Sequence, residues 1–327
     1  YAHLESTFRC ASRGICRLLL LLLPFLLLAP SAAAADRPNV LLILADDQTW
    51  SDSGCYGTRE VKTPNIDRLA AAGMRFERAF TATAMCAPTR QQLYTGLFPV
   101  RNGAYPNHSK VKPGTRSIVH HLKDLGYRVG LSGKTHFGPR ESFPFEMVGK
   151  GTAKFITRDT SQPFCLVVCS NSPHTPWKAG DASAYDPASL TLPPFLVDTP
   201  ETRRALARYY GEVTDFDREV GECMKQVDEA GVVENTIFIY TSEQGVQFPH
   251  GKWTLYDTGV RVAFVVRWPA RVKPGSVAKA MIQYVDVVPT LIEAAGGTPP
   301  ADLDGRSFLP VLLGKRDEHH KEVFGVH

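Results

Sequence analysis

Short, almost wholly apolar runs punctuate the chain. Asn39 to Ala45 reads NVLLILA, and FCLVVC (164–169), TIFIYTS (236–242) and VAFVVRWP (262–269) have the same form, with YRVGLSGK (127–134) a weaker example. Uninterrupted apolar runs of this length suit strands covered on both faces, as in a parallel sheet. Between them lie stretches with a 3.6-residue period. TPNIDRLAAAG predicts a helix with Thr63 as N-cap, Pro64 at its first position and Gly73 at its stop. RSIVHHLKDLG predicts another, stopped at Gly126. The longest begins at Thr199-Pro200 and carries Leu206, Tyr209, Val213, Phe216, Val220, Met224 and Val227 on one stripe. Alternation of strands and helices predicts an α/β fold with a mostly parallel central sheet and helices on both faces. One crossover looks thin. Between YRVGLSG and FCLVVC only VGKGTAKFITRD offers a helix, and its two glycines make a poor one, so a missing piece of chain is expected there.

The first 35 residues have a different pattern. Arg9, Arg13 and Arg17 precede the apolar run LLLLLLPFLLL (18–28), and SAAAAD supplies A-x-A cleavage sites near Ala35. This is the form of a secretory signal, and the run is short for a membrane span, so export without stable membrane insertion is expected. Residues 36–327 are expected to form the catalytic domain, and the Tyr1 start is expected to be either incomplete or misassigned. Of the 327 residues, 43% are hydrophobic and 21% charged, an ordinary globular composition. Without the first 35 residues the formal charge falls from +4 to +2, which excludes a basic nucleic-acid surface. Five cysteines remain: Cys55, Cys86, Cys165, Cys169 and Cys223. An odd number in an exported chain leaves at least one outside any intramolecular disulfide. Cys165 and Cys169, inside an apolar strand, read as small buried hydrophobes.

Polar residues follow the apolar runs repeatedly. Asp46-Asp47 follow the first, Lys134 and His136 the second, His174 the third and Glu243-Gln244 the fourth, with Lys252 soon after. Each has a bland explanation: a cap, an exposed turn, a structural histidine, a surface lysine. In open α/β sheets, however, ligands bind beyond the carboxyl ends of strands, and these residues would all converge there. Three carboxylates and an amide oxygen suit a hard cation, Ca²⁺ before the stricter octahedron of Mg²⁺. The spacing of cysteine and histidine does not suggest zinc. Around such a cation, Arg90, Lys134, His136 and Lys252 describe a pocket for a doubly charged oxyanion or its monoester.

Met85 to Gly96, MCAPTRQQLYTG, places Cys86 two residues before Pro88 and four before Arg90. Here the chain resembles the type I sulfatases of the alkaline phosphatase superfamily, whose motif C-x-P-[ST]-R-x-x-L-x-T-G is met by Cys86, Pro88, Thr89, Arg90, Leu93, Thr95 and Gly96. The resemblance runs from about Arg37 to the C-terminus. GKTHFGP, YDPASLTLPPFLVDTPETR and FPHGKWTLYDTG make it most similar to the heparan N-sulfatase (sulfamidase) branch. It implies that a formylglycine-generating enzyme oxidises Cys86 to Cα-formylglycine. It further implies that Asp46, Asp47, Glu243, Gln244 and the modified Cys86 hold Ca²⁺, and that Arg90 and Lys134 steady the formylglycine hydrate. His136 would act as base on that hydrate, while His174 and Lys252 bind sulfate and protonate the leaving atom. The substrate would be a sulfated carbohydrate.

Two departures stand out. Glu243-Gln244 replaces the family's usual Asp-Asn, lengthening each arm by a methylene. The chain also stops at KEVFGVH, about where the family's smaller C-terminal domain begins, so a C-terminally incomplete domain is expected. Two alternatives remain open: an O-sulfatase or phosphonate/phosphate monoester hydrolase of the same superfamily, and a non-catalytic sulfated-glycan-binding remnant.

Overall fold

The structure, a computed structural model, describes residues 37–327. The expected secretory signal lies outside the described residues. The strands are β1 (Asn39–Ala45), β2 (Met74–Phe80), β3 (Arg128–Gly133), β4 (Glu146–Met147), β5 (Phe164–Cys169), β6 (Thr236–Ser242), β7 (Arg261–Val262), β8 (Phe264–Arg267) and β9 (Ser276–Gln283). The helices are α1 (Pro64–Ala71), α2 (Cys86–Thr95), α3 (Pro99–Asn102), α4 (Ile118–Asp124), α5 (Thr152–Thr157), α6 (Pro200–Glu229), α7 (Asp257–Val260), α8 (Val287–Ala294) and α9 (Leu309–Leu312).

All nine strands form one sheet in the order β4-β3-β5-β1-β6-β8-β2-β7, with β9 paired to β2. From β4 to β6 every pairing is parallel. Alternate residues of β1 enter opposite cores, which is why its sequence is apolar throughout. Val40, Leu42 and Leu44 pack with residues of α2, α4, α8 and α9. Leu41, Ile43 and Ala45 pack with α1, α5 and α6. The stripe expected on α6 is buried in full, and Thr199 caps the helix by accepting from Thr202 N at 3.2 Å.

Several expectations need correction. VAFVVRWP yields β8, antiparallel to both β6 and β2, because the connection from β6 contains only the one-turn α7 and no crossover helix. β2 and β9 were not anticipated. MRFERAF carries two arginines and a register shift between Phe76 and Arg78, while SVAKAMIQ is part-exposed, so neither has a continuous apolar run. The thin crossover is closed without further chain: β4 and the six-residue α5 span it, and Phe155 and Ile156 pack beside Phe164 and Leu166. Thr63 precedes α1 but its hydroxyl does not cap it; Oγ1 accepts from Gly54 N at 2.8 Å instead.

Candidate active site

The parallel register sets Ala45 beside Ser242, so the residues after β1 and β6 leave the sheet together. Glu243 N donates to Ala45 O and Asp46 N to Ser172 O, each at 3.0 Å. These bonds bring Asp46-Asp47, Glu243-Gln244 and the His174 loop to one edge. Lys134 arrives from β3, its N–H donating to Cys169 O at 3.1 Å. The preceding Gly133 has φ +88°, and a Cβ there would lie 1.9 Å from Cys169 O, so no other residue could make this approach. Gly245 has the same function for the next loop. A Cβ would lie 1.7 Å from Thr258 O, blocking the return that carries Lys252 to the site.

Cys86 is the first residue of α2, after an extended Met85, and all ten residues of the helix are buried. Arg90 follows at i+4 and therefore shares a helix face with Cys86. That face meets the carboxylates. Arg90 Nε lies 2.5 Å from Glu243 Oε2, an ion pair whose off-axis approach does not make a hydrogen bond, and Arg90 Nη2 lies 4.0 Å from Asp46 Oδ2. Lys134 Nζ donates to Asp46 Oδ2 at 2.5 Å and lies 3.8 Å from Glu243 Oε1. Lys252 Nζ donates to Asp47 Oδ2 at 2.7 Å and sits 3.2 Å from His174 Nε2, itself 3.5 Å from that oxygen. Gln244 Nε2 donates to Asp47 Oδ1 at 2.5 Å and lies 3.5 Å from Cys86 Sγ. The bland readings of Glu243-Gln244 as an exposed turn and Lys252 as a surface charge therefore do not hold; Glu243 and Gln244 are 0% exposed.

Burial sets the electrostatics. It pushes the Cys86 thiol up to about 12, helped by Glu243 and Asp47, so the unmodified residue stays a neutral, unreactive thiol. Burial and the Glu243 charge push Asp46 up to about 9 and raise Asp47 as well. Burial acts on Glu243 in the same sense, but Arg90 and Lys134 outweigh it and hold that carboxyl well below its ordinary value. Both lysines lose solvation, and the carboxylates still raise them above the ordinary value: Glu243 for Lys134, Asp47 for Lys252. His136 is pushed down to about 4 by burial and by Lys134, and is a neutral base at physiological pH.

His136 is met by a residue that sequence reasoning missed. Its Nε2 lies 2.8 Å from Nδ1 of His108, while its Nδ1 is buried without a partner. The neighbouring Asn107 accepts from Ala87 N at 3.4 Å, tying this pair to the first turn of α2. A lone histidine in the polar loop YPNHSK gave no signal for this.

The arrangement fits a hard cation. Asp46 Oδ1 and Gln244 Oε1 are buried oxygens with no partner. Asp46, Asp47, Cys86 and His174 each offer a ligand atom within 4.8 Å of the others. His174 thus joins the cluster expected from sequence, while Glu243 engages Arg90. A cavity of about 450 Å³ opens beside it, lined by Asp46, Lys134, His174, Lys178 and Glu212. Another cavity, of about 460 Å³ near Thr95, His121 and Asp302, is lined by none of the site's residues. An open cleft edged by three cations and a cation-competent acid cluster can bind and polarise a small oxyanion ester.

Comparison with known proteins agrees with this chemistry. The profile of the family described as Sulfatase matches residues 38–151 and 146–297. The ulvan-active sulfatase of Formosa agariphila is 37% identical over 317 residues, covering 92% of this chain and 62% of its own length. Human N-sulphoglucosamine sulphohydrolase is 31% identical over 343 residues, covering 88% of this chain and 68% of its own. A solved protein in complex with its substrate D-glucosamine-2-N,6-O-disulfate shares the fold, with a TM-score of 0.73 at 21% identity over 88% of this chain and 82% of that one. With a family profile matched across most of its length and relatives above 30% identity, the chain belongs to the sulfatase family.

Proposed function

We propose that this chain is the catalytic part of an exported sulfohydrolase acting on sulfated glycans. Residues 1–35 serve as its secretory signal and residues 36–327 as its catalytic domain. Cys86 is converted to formylglycine by a formylglycine-generating enzyme. Ca²⁺ is held by Asp46, Asp47, Glu243, Gln244 and the modified residue 86. The observation that carries this reading is the place of Cys86: a buried, neutral thiol on the first turn of α2, within reach of Gln244 and Asp47. Such a thiol is a poor nucleophile, so the site needs a different group there.

As a hydrated aldehyde, residue 86 would offer two hydroxyls on one carbon, one to attack sulfur and one whose later deprotonation expels sulfate. The cation would offset sulfate charge and align it. The chain's own side chains do the rest. Arg90 and Lys134 hold positive charge against the hydrated residue. His136, neutral, takes the hydroxyl proton, and His108 fixes its ring. Lys252 and His174 face the sulfate oxygens, and His174 delivers a proton to the departing nitrogen or oxygen. Proton delivery of this kind contributes about 10²–10⁴ in rate.

Two substrate readings have support. The likeness to the sulphoglucosamine enzyme favours a sulfamate, N-sulfated glucosamine at a chain end. The higher identity to the ulvan-active enzyme favours an O-sulfated polysaccharide. One experiment tests both the chemistry and the choice. The protein is co-expressed with a formylglycine-generating enzyme, the tryptic peptide carrying Cys86 is weighed and treated with a hydrazide, and sulfate release is measured from N-sulfoglucosamine, ulvan oligosaccharides and nitrophenyl sulfate. The expected result is an aldehyde at residue 86 and turnover of one glycan class above the aryl ester. Sulfate release with residue 86 still a thiol would refute the mechanism. Turnover of O-sulfates alone would refute the sulfamate reading.

A further inference from the structure

Asp286 stands immediately before α8, fully buried, and its carboxylate is fixed by the backbone: Gln283 N donates to Oδ2 at 2.8 Å and Arg306 N to Oδ1 at 3.0 Å. Two histidines converge on it from the segment after α9. His320 Nε2 lies 2.8 Å from Oδ2 and 3.0 Å from Oδ1, and His319 Nε2 lies 3.3 Å from Oδ2. The His320 backbone is itself pinned to β9, its N–H donating to Met281 O at 3.1 Å. All three side chains therefore meet on supports from two directions, and their ligand atoms lie within 4.8 Å of one another.

We propose that Asp286, His319 and His320 form a binding site for a transition cation of the Zn²⁺ class, which clips the 319–327 segment onto the sheet. A carboxylate merely accepting two imidazole N–H groups suits His320, whereas His319, 3.3 Å from Oδ2, is close enough to pair with it but poorly aligned to donate. The His319 side chain is only 6% exposed, and its Nε2 is buried with no hydrogen-bond partner although it is aimed at the cluster. Buried polar atoms in folded proteins are rarely left so. A cation satisfies all three groups at once: each ring binds through Nε2 as the neutral tautomer with its proton on Nδ1, and each carboxylate oxygen keeps a lone pair beyond its backbone bond. Two imidazole nitrogens and one carboxylate select zinc-like ions over Ca²⁺ or Mg²⁺. The backbone donors on Asp286 supply the outer support that such ligands commonly have. His320 is part-exposed, leaving room for water as a fourth ligand. The clip bears on the active site through the chain beyond it, where Val326 N donates to Ala82 O at 2.7 Å and His327 Nε2 lies 2.7 Å from Trp253 O, next to Lys252.

The test uses the whole chain, stripped of metal and then saturated with Ca²⁺. ZnCl₂ is titrated by calorimetry into the unaltered protein, Asp47→Ala and His320→Ala. One equivalent of Zn²⁺ should bind, survive in Asp47→Ala and vanish in His320→Ala. A Zn²⁺ equivalent retained in His320→Ala, or no binding to the unaltered protein, overturns the proposal. If His320→Ala does not fold, zinc-edge absorption on the unaltered protein decides: two imidazoles at roughly 2.0–2.1 Å support the site, and fewer refute it.

Discussion

Tyr209 donates its hydroxyl to Asp52 Oδ2 at 2.7 Å, yet burial still pushes the Asp52 carboxyl up to about 6. An acid raised in the folded state favours folding when protonated. Its contribution is complete below the unfolded value near 4 and is lost as pH rises through about 6. Asp52→Asn keeps an oxygen for Tyr209 and removes the charge. The variant should therefore be more stable than the parent at pH 7.5, by at most about 3 kcal/mol for a shift of about two units, and by only about 1 kcal/mol at pH 4.5, just above the unfolded value. Urea unfolding at the two pH values measures this, and an equal difference at both would place the effect elsewhere. At this scale the residues that gather at the candidate site were largely legible. Asp46, Asp47, Lys134, His174, Glu243 and Gln244 each follow an apolar run, and the strand carries them to a common edge. His108 was not legible, because its partnership with His136 crosses two loops that share no pattern.

Element by element, α6 shows the periodic stripe at its most reliable. Phe216 is 0% exposed and packs its ring 5.9 Å from that of Tyr240 on β6, so one side chain joins the longest helix to a central strand. Phe216→Ala should cost about 3–5 kcal/mol by lost burial and the cavity left behind, measured by denaturant midpoint at constant slope. A loss below about 1 kcal/mol would mean the helix collapses onto the sheet without it. Strands were legible only where both faces are covered. β1 and β5 are apolar at nearly every position, and β6 through its centre (237–240), because two helical layers bury them. β2 and β9 carry polar residues on their exposed side, and a register shift breaks the alternation that would have revealed β2. The antiparallel turn into β8 depends on what the connection lacks, a crossover helix, and such absences leave no periodic signal.

For the molecule as a whole, the acid cluster would couple folding to the cation proposed for it. Three buried carboxylates face Arg90, Lys134 and Lys252, and burial with mutual repulsion raises Asp46 and Asp47. The cluster is built in the folded chain from β1, β6, α2 and their loops, so an ion that binds there binds only the folded state. At a hundredfold excess over Kd, such an ion stabilises by about 2.7 kcal/mol. In domains of about 150–250 residues each kcal/mol moves Tm by about 2–4 °C. Calcium should therefore raise Tm by on the order of 5 °C, and Mg²⁺ by less, because the lengthened Glu243 and Gln244 arms suit a large, flexible coordination shell. Asp47→Ala should abolish the calcium response, since Asp47 faces Lys252, His174 and Gln244 at the centre of the cluster. His320→Ala, at the separate cluster on Asp286, should leave it intact. A calcium shift of the same size in Asp47→Ala would move the ion away from this edge of the sheet, and with it the ground for assigning Asp46, Asp47, Glu243 and Gln244 as its ligands.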